Sequence, residues 1–151
     1  MKASAAEGKA QVEARVAAAL GELRAHAGTA MERAYAPYSH FRVGAALLTA
    51  DGFIADGCNV ESAAFPAGVC AERVALGSAV TAGHREFLAL AIATEADQPT
   101  PPCGTCRQAL MEFGADLVVL STTRGGQEAR WTLGELLPIA FTPTALGRGG
   151  H

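Results

Sequence analysis

The sequence is short of positive charge: twelve Lys and Arg stand against fifteen Asp and Glu in 151 residues, for a formal net charge of −3. A surface built to neutralise many phosphates needs the opposite balance, which excludes a polynucleotide substrate. Long apolar runs are missing as well. The longest, residues 87–93, falls far below the ~20 residues that cross a bilayer, so no membrane partner is expected. The stretch Met1-Lys2-Ala3-Ser4-Ala5-Ala6-Glu7-Gly8 holds no apolar core of signal-peptide length. There is no internal repeat and no low-complexity tract. Cysteine is scarce, with four residues. Together these absences give a cytoplasmic expectation, where thiols stay reduced and a CxxC pair points to metal or redox chemistry.

What is present reads as one compact domain: half the residues are apolar and 18% are charged. Residues 1–10 are small or polar and expected to be disordered, residues 11–143 form the domain, and residues 144–151 form a second disordered tail. Val12, Val16, Leu20, Leu23 and Met31 recur at helical spacing, which predicts a helix or helix pair over residues 11–35, with Gly28 as a candidate break and Pro37 as the stop. Residues 42–49 and 53–59 read as two strands around the turn Ala50-Asp51-Gly52. A helix is expected over residues 70–82 and a strand buried on both faces over residues 87–94. A loop with three prolines follows to residue 102, then a helix over residues 103–114 and a strand over residues 116–121. After a Gly-rich turn at residues 122–127 come an edge strand over residues 128–131 and a short helix over residues 133–137. This alternation indicates α/β layering around a mixed sheet.

The chemistry concentrates in Cys70-Ala71-Glu72-Arg73 and Pro102-Cys103-Gly104-Thr105-Cys106. A hydrolytic zinc site takes three protein ligands and leaves a fourth position open. Cys70, Cys103 and Cys106 supply three, and Glu72, two residues past the first, stays close to the open position as a proton carrier. A ligand-x-Glu followed by Pro-Cys-x-x-Cys is the signature of zinc nucleobase deaminases, here with Cys70 in place of His. Both segments read as helix N-termini, where free N–H groups favour thiolates. Three thiolates on a dication leave a net negative centre, which weakens the acidification of bound water. Arg73 and Arg107, each beside a ligand, are expected to offset this by hydrogen-bonding the sulfurs. Two rivals stay open. A structural zinc site with Cys58 as fourth ligand leaves Glu72 without a task, and a redox pair at Cys103 and Cys106 leaves Cys70 and Glu72 unexplained. An iron–sulfur cluster normally needs a fourth cysteine in tighter spacing.

Three further blocks accompany these motifs in a fixed order: Ala34-Tyr35-Ala36-Pro37-Tyr38-Ser39-His40-Phe41-Arg42-Val43-Gly44-Ala45-Ala46-Leu47, then Gly57-Cys58-Asn59-Val60-Glu61, and finally Glu135-Leu136-Leu137-Pro138-Ile139-Ala140-Phe141. From about residue 23 to residue 143 the chain resembles the small homotetrameric cytidine deaminases of pyrimidine salvage. The resemblance implies a three-layer α/β/α sandwich around a mixed five-stranded sheet and one zinc per chain. It also implies hydrolysis of cytidine and deoxycytidine to uridine and deoxyuridine with release of ammonia. Phe41 and Ala71 then belong to the pyrimidine pocket, and Asn59 and Glu61 to the ribose hydroxyls, with Ser62 where the family usually has Asn. Phe65, where Tyr is often found, and Phe141 are implied to cover the nucleoside of a neighbouring subunit. Aminonucleoside-antibiotic and free-base deaminases belong to the same superfamily, and the Asn59/Glu61 pair favours a ribose-bearing substrate.

Overall fold

The computed structural model describes residues 5–147, with side chains from residue 8. The expected disordered ends therefore lie partly outside the described residues, at residues 1–4 and 148–151. The rest of the predicted frayed start is helical, because α1 spans Ala5–Glu32. Gly28 does not break it. An interior glycine costs a helix about 1 kcal/mol, and the burial of Val16, Leu23, Ala27 and Met31 along one stripe of this helix outweighs that. The helix ends at Glu32, before Pro37, which sits in a turn closed by the His40 amide donating to Ala36 O (3.0 Å).

The strands are β1 (Val43–Thr49), β2 (Ile54–Cys58), β3 (Phe87–Thr94), β4 (Val118–Thr123) and β5 (Glu128–Thr132). They form one sheet in the order β2-β1-β3-β4-β5. Only β3 and β4 run parallel; the other neighbours are antiparallel. The parallel pair is joined through α3 (Gly104–Met111), while α2 (Ala71–Thr81) joins β2 to β3 and α4 (Leu133–Leu136) follows β5. The result is the mixed five-stranded α/β sheet that the resemblance implies.

Strand side chains alternate between faces, which splits the core in two. On one face α1 covers Ala46, Leu48, Ala89, Ala91, Ala93, Val118 and Leu120. The other face presents Ala45, Leu47, Leu90, Ile92 and Val119 to α2 and α3. Glycines set how closely the helices approach. A Cβ on Gly44 would lie 1.9 Å from Ala27 O in α1, so no larger residue fits without moving the helix. Gly57 plays the same part under α2.

Candidate active site

The two cysteine segments arrive at one end of the sheet as helix starts. Cys70 is the N-cap of α2 and Cys103 the N-cap of α3, both with extended backbone. Cys106 follows in the first turn of α3 and is fully buried. The three Sγ atoms lie within 4.8 Å of one another, with Cys70 and Cys103 at 3.7 Å. Sulfurs sharing a tetrahedral zinc at about 2.3 Å sit roughly 3.8 Å apart, so this donor set fits the ion with little rearrangement. The Cys70 thiol is held down to about 5, first by its hydrogen bond with Cys106 and further by Cys103 and Arg73. Cys106 is pushed up, first by that same hydrogen bond and then by burial. One thiolate is thus already favoured in the metal-free cluster.

Cys58 is elsewhere. It lies on β2 two positions from Asp56, which pairs with His26 of α1 at 2.8 Å, and its own sulfur points at Arg33 O, 3.7 Å away. That places it on the α1 side of the sheet, whereas the cluster is on the α2 side. A four-cysteine shell is therefore ruled out by the sheet itself.

Glu72, in the first turn of α2, is 5% exposed. Burial pushes its carboxyl up, and the charge of Cys70 adds to this. Arg73, next to Glu72 on α2, favours the Cys70 thiolate through hydrogen bonding and charge, and the two sulfurs of Cys70 and Cys106 in turn favour its charged form. Its Nε is buried with no hydrogen-bond partner. Arg107 differs from expectation. Its Nε donates to Pro102 O and its Nη1 to Leu136 O, both at 2.8 Å, and neither contact is to a sulfur. It braces the loop that delivers Cys103 against the end of α4.

A cavity of about 250 Å³ opens onto the cluster, lined by Phe41, Asn59, Glu61, Cys70, Ala71, Glu72 and Cys103 among others. Seven residues singled out from the sequence thus share one wall. Sequence reasoning missed Ser39, Val43, Ile92, Thr94, Thr100 and Pro101, which complete the lining. Ser39 stands inside a block that carried the resemblance, so a signal was there. Nothing marks Thr94 or Thr100 before the fold brings β3 and the proline loop over α2.

The amide of Asn59 works in both directions, with Nδ2 donating to Phe41 O (2.8 Å) and Oδ1 accepting from Val43 N (2.9 Å). Glu61 accepts from the amides of Tyr38 and Ser39, both at 3.0 Å, and from the Ser39 hydroxyl. These hydrogen bonds, that of the Ser39 hydroxyl first, hold its carboxyl below the usual range. Both side chains pin the segment carrying His40, which takes a left-handed φ of 55° rare for a residue other than glycine. Phe65 lies outside this cavity. It lines an adjoining one with Tyr38, Ser39, Glu61, Ser62 and Gly68, and its ring meets Tyr38 edge-on at 6.0 Å. Phe141 is 61% exposed and held by its carbonyl, which accepts from Gln108 of α3 at 2.8 Å.

The pattern described as the cytidine and deoxycytidylate deaminase zinc-binding region matches residues 17–122. A cytidine deaminase of Sporosarcina psychrophila is 46% identical over 123 residues, covering 80% of this chain and 90% of its own. One from Halalkalibacterium halodurans is 46% identical over 114 residues, covering 75% and 86%. Among solved structures, the cytidine deaminase from Burkholderia pseudomallei superposes with a TM-score of 0.77 at 48% identity, covering 80% of this chain and 98% of that one.

Proposed function

Because the chain belongs to the cytidine and deoxycytidylate deaminase family, we propose that it is a zinc-dependent cytidine deaminase, converting cytidine and deoxycytidine to uridine and deoxyuridine with release of ammonia. The observation that carries this reading is Glu72, a buried carboxyl with raised proton affinity one turn from the thiol cluster and facing the same cavity. A structural metal site has no use for such a group, and a dithiol redox centre at Cys103 and Cys106 leaves Cys70 in the cluster unexplained.

Cys70, Cys103 and Cys106 would hold the zinc, which when bound supplies Lewis acidity at its open fourth position. The chain's own residues do the rest. Glu72 takes a proton from the attacking water and passes it to N3 of the cytosine ring. Glu72 then takes the remaining proton from the hydroxyl now on C4 and delivers it to the 4-amino nitrogen, so that ammonia departs and the water oxygen stays on C4 as the carbonyl. Burial helps Glu72 hold the proton between these transfers. Phe41 and Ala71 flank the base, and Asn59 and Glu61 take the ribose hydroxyls with the hydrogen-bonding capacity left after they have fixed residues 38–43. Arg73 balances the thiolate charge.

The family name covers a nucleoside and a nucleotide, and the lining of the site favours the nucleoside. No Lys, Arg or His lines either adjoining cavity among the described residues, while Glu61, kept ionised by Ser39, stands between them. A 5′-phosphate there meets repulsion with no cation to offset it.

A role in pyrimidine salvage, a cytoplasmic location and a homotetramer complete the proposal. Reduced thiols suit the cytoplasm, and no described helix is long and apolar enough to cross a membrane. The tetramer is supported by rings and side chains left open in the single chain: Tyr35, Tyr38, Phe65, Ile139 and Phe141 are all at least half exposed. An absorbance assay for cytidine loss, run with a zinc count on the purified protein, tests the whole reading. A zinc-replete protein that leaves cytidine intact would sink it.

A further inference from the structure

On the side of the sheet away from the cavity, four alternating charges close a ring. Arg42 donates to Glu95 through Nε (3.1 Å) and Nη2 (2.5 Å), and to Glu32 through Nη1 (2.9 Å). Arg124 Nη2 reaches Glu32 (2.7 Å) and Glu95 (3.0 Å). Each carboxylate therefore touches both guanidiniums, and the formal charges cancel. The four members come from four places: the last turn of α1, the residue before β1, the residue after β3 and the turn between β4 and β5.

The position of the Arg42–Glu95 contact matters most. The ladder between β1 and β3 ends at the pair Val43 and Thr94. Arg42 and Glu95 are the next residues outward, so their ion pair continues the pairing where the backbone ladder stops. Alternation sends these two side chains toward α1, while Val43 and Thr94 point into the cavity on the opposite face. Phe41, one residue further along, also lines that cavity. No ring member lines it. An isolated exposed ion pair contributes little to stability, but four charges shared by four chain segments constrain where the strand ends lie.

We propose that the ring of Arg42, Glu95, Arg124 and Glu32 is a positioning device: it fixes the separation of Phe41 and Val43 from Thr94, and so sets the width of the nucleoside cavity. The inference rests on the deaminase reading for its substrate. It acts on binding rather than on the proton transfers, since none of its members reaches Glu72.

Glu95→Gln removes one charge at nearly constant size. In the zinc-loaded protein the KM for cytidine rises about three- to tenfold with kcat within about twofold, the pattern of binding lost equally from ground and transition states. Zinc content stays the same. Members of one network are not additive, so the double variant Arg42→Gln/Glu95→Gln has the KM of the worse single variant. Amide exchange at residues 41–43 and 94–96 becomes faster in Glu95→Gln while the rest of the sheet is unchanged. That last readout needs no turnover: a wild type inert toward cytidine would defeat the deaminase reading, and the exchange data would still judge the ring. Unchanged exchange at those residues overturns the proposal. So does an unchanged KM in an active protein, or a parallel fall of kcat, zinc content and melting temperature, which marks a purely structural role.

Discussion

Gly57 lies so close beneath Ala71 that a Cβ on it would sit 2.3 Å from the Ala71 carbonyl oxygen and 2.4 Å from the Ala75 nitrogen. Both are backbone atoms of the helix whose N-cap is Cys70, so the glycine sets the depth at which α2 rests on β2. Gly57→Ala forces the helix outward. Overpacking of this kind costs about 1–3 kcal/mol, and here it also shifts the first ligand and Glu72 relative to α3. The variant melts lower and binds zinc less tightly than wild type, as thermal melts and metal titration will show. Wild-type zinc affinity in Gly57→Ala would mean that β2 yields instead of α2.

Glu72→Gln keeps the size and burial of the side chain but cannot carry a proton. General acid–base catalysis contributes roughly 10²–10⁴-fold, so turnover falls by at least that much. Zinc content and melting temperature hold. A zinc-replete Glu72→Gln protein with near-normal turnover contradicts the assignment of the proton carrier.

The metal assignment separates two cysteines by the face of the sheet they occupy. Cys58→Ser leaves zinc content and activity intact, because its sulfur faces Arg33 O on the α1 side. Cys70→Ser loses most of the zinc. The opposite pattern, measured by metal analysis after dialysis, removes Cys70 from the ligand set.

How far the sequence carried this reading depends on the range of the interaction. Cys70, Glu72, Cys103 and Cys106 were legible because spacing within a helix turn is local and the chemistry tolerates few other residue types. Strand β3 was legible to the residue, since eight apolar or β-branched positions bounded by polar ones admit little else. The start of α1 was not, because residues 5–10 carry no apolar stripe and propensity alone decides there. Arg107 was misjudged for a related reason: adjacency in sequence to Cys106 says nothing about Leu136 O, which arrives from a distant segment. The Asn59 and Glu61 pair was found, yet its backbone partners at residues 38–43 emerge only once β1 and β2 are paired.

Those partners change what Asn59→Ala does. The variant strips Val43 N–H and Phe41 C=O of their bonds as well as removing a proposed ribose contact. An unsatisfied buried group costs about 1–3 kcal/mol, so the melting temperature drops together with nucleoside affinity. Nucleoside binding still weakens more than binding of free cytosine, because only the nucleoside has hydroxyls to lose. Equal losses for the two ligands argue that Asn59 serves the loop alone.

The Glu95 carboxyl is held down from its ordinary 4.5 to about 2, chiefly by its hydrogen bond with Arg42. Its folded-state value lies below the unfolded one, so the unfolded chain binds more protons between them. The stabilisation is complete above about pH 5 and is lost as pH falls toward 2. Urea melts of wild type and Glu95→Gln therefore differ at pH 7 and converge toward pH 2.5. A gap that stays constant over this range shows that the Arg42–Glu95 pair does not stabilise the fold through its charge.

Phe141 has an incomplete place in the single chain. It is 61% exposed and Ile139, two residues earlier, is 93% exposed, while Phe65 is 76% exposed. Leaving such side chains in water forgoes about 1.5–3 kcal/mol each that burial would supply. A second copy of the chain is the partner that closed symmetry provides. In the proposed homotetramer these rings cover the open cavity of a neighbour, so Phe141→Ala raises KM and lowers turnover without releasing zinc. Light scattering at assay concentration reads the assembly directly. A fully active monomer means that each chain closes its own cavity, and then neither Phe65 nor Phe141 belongs to the site.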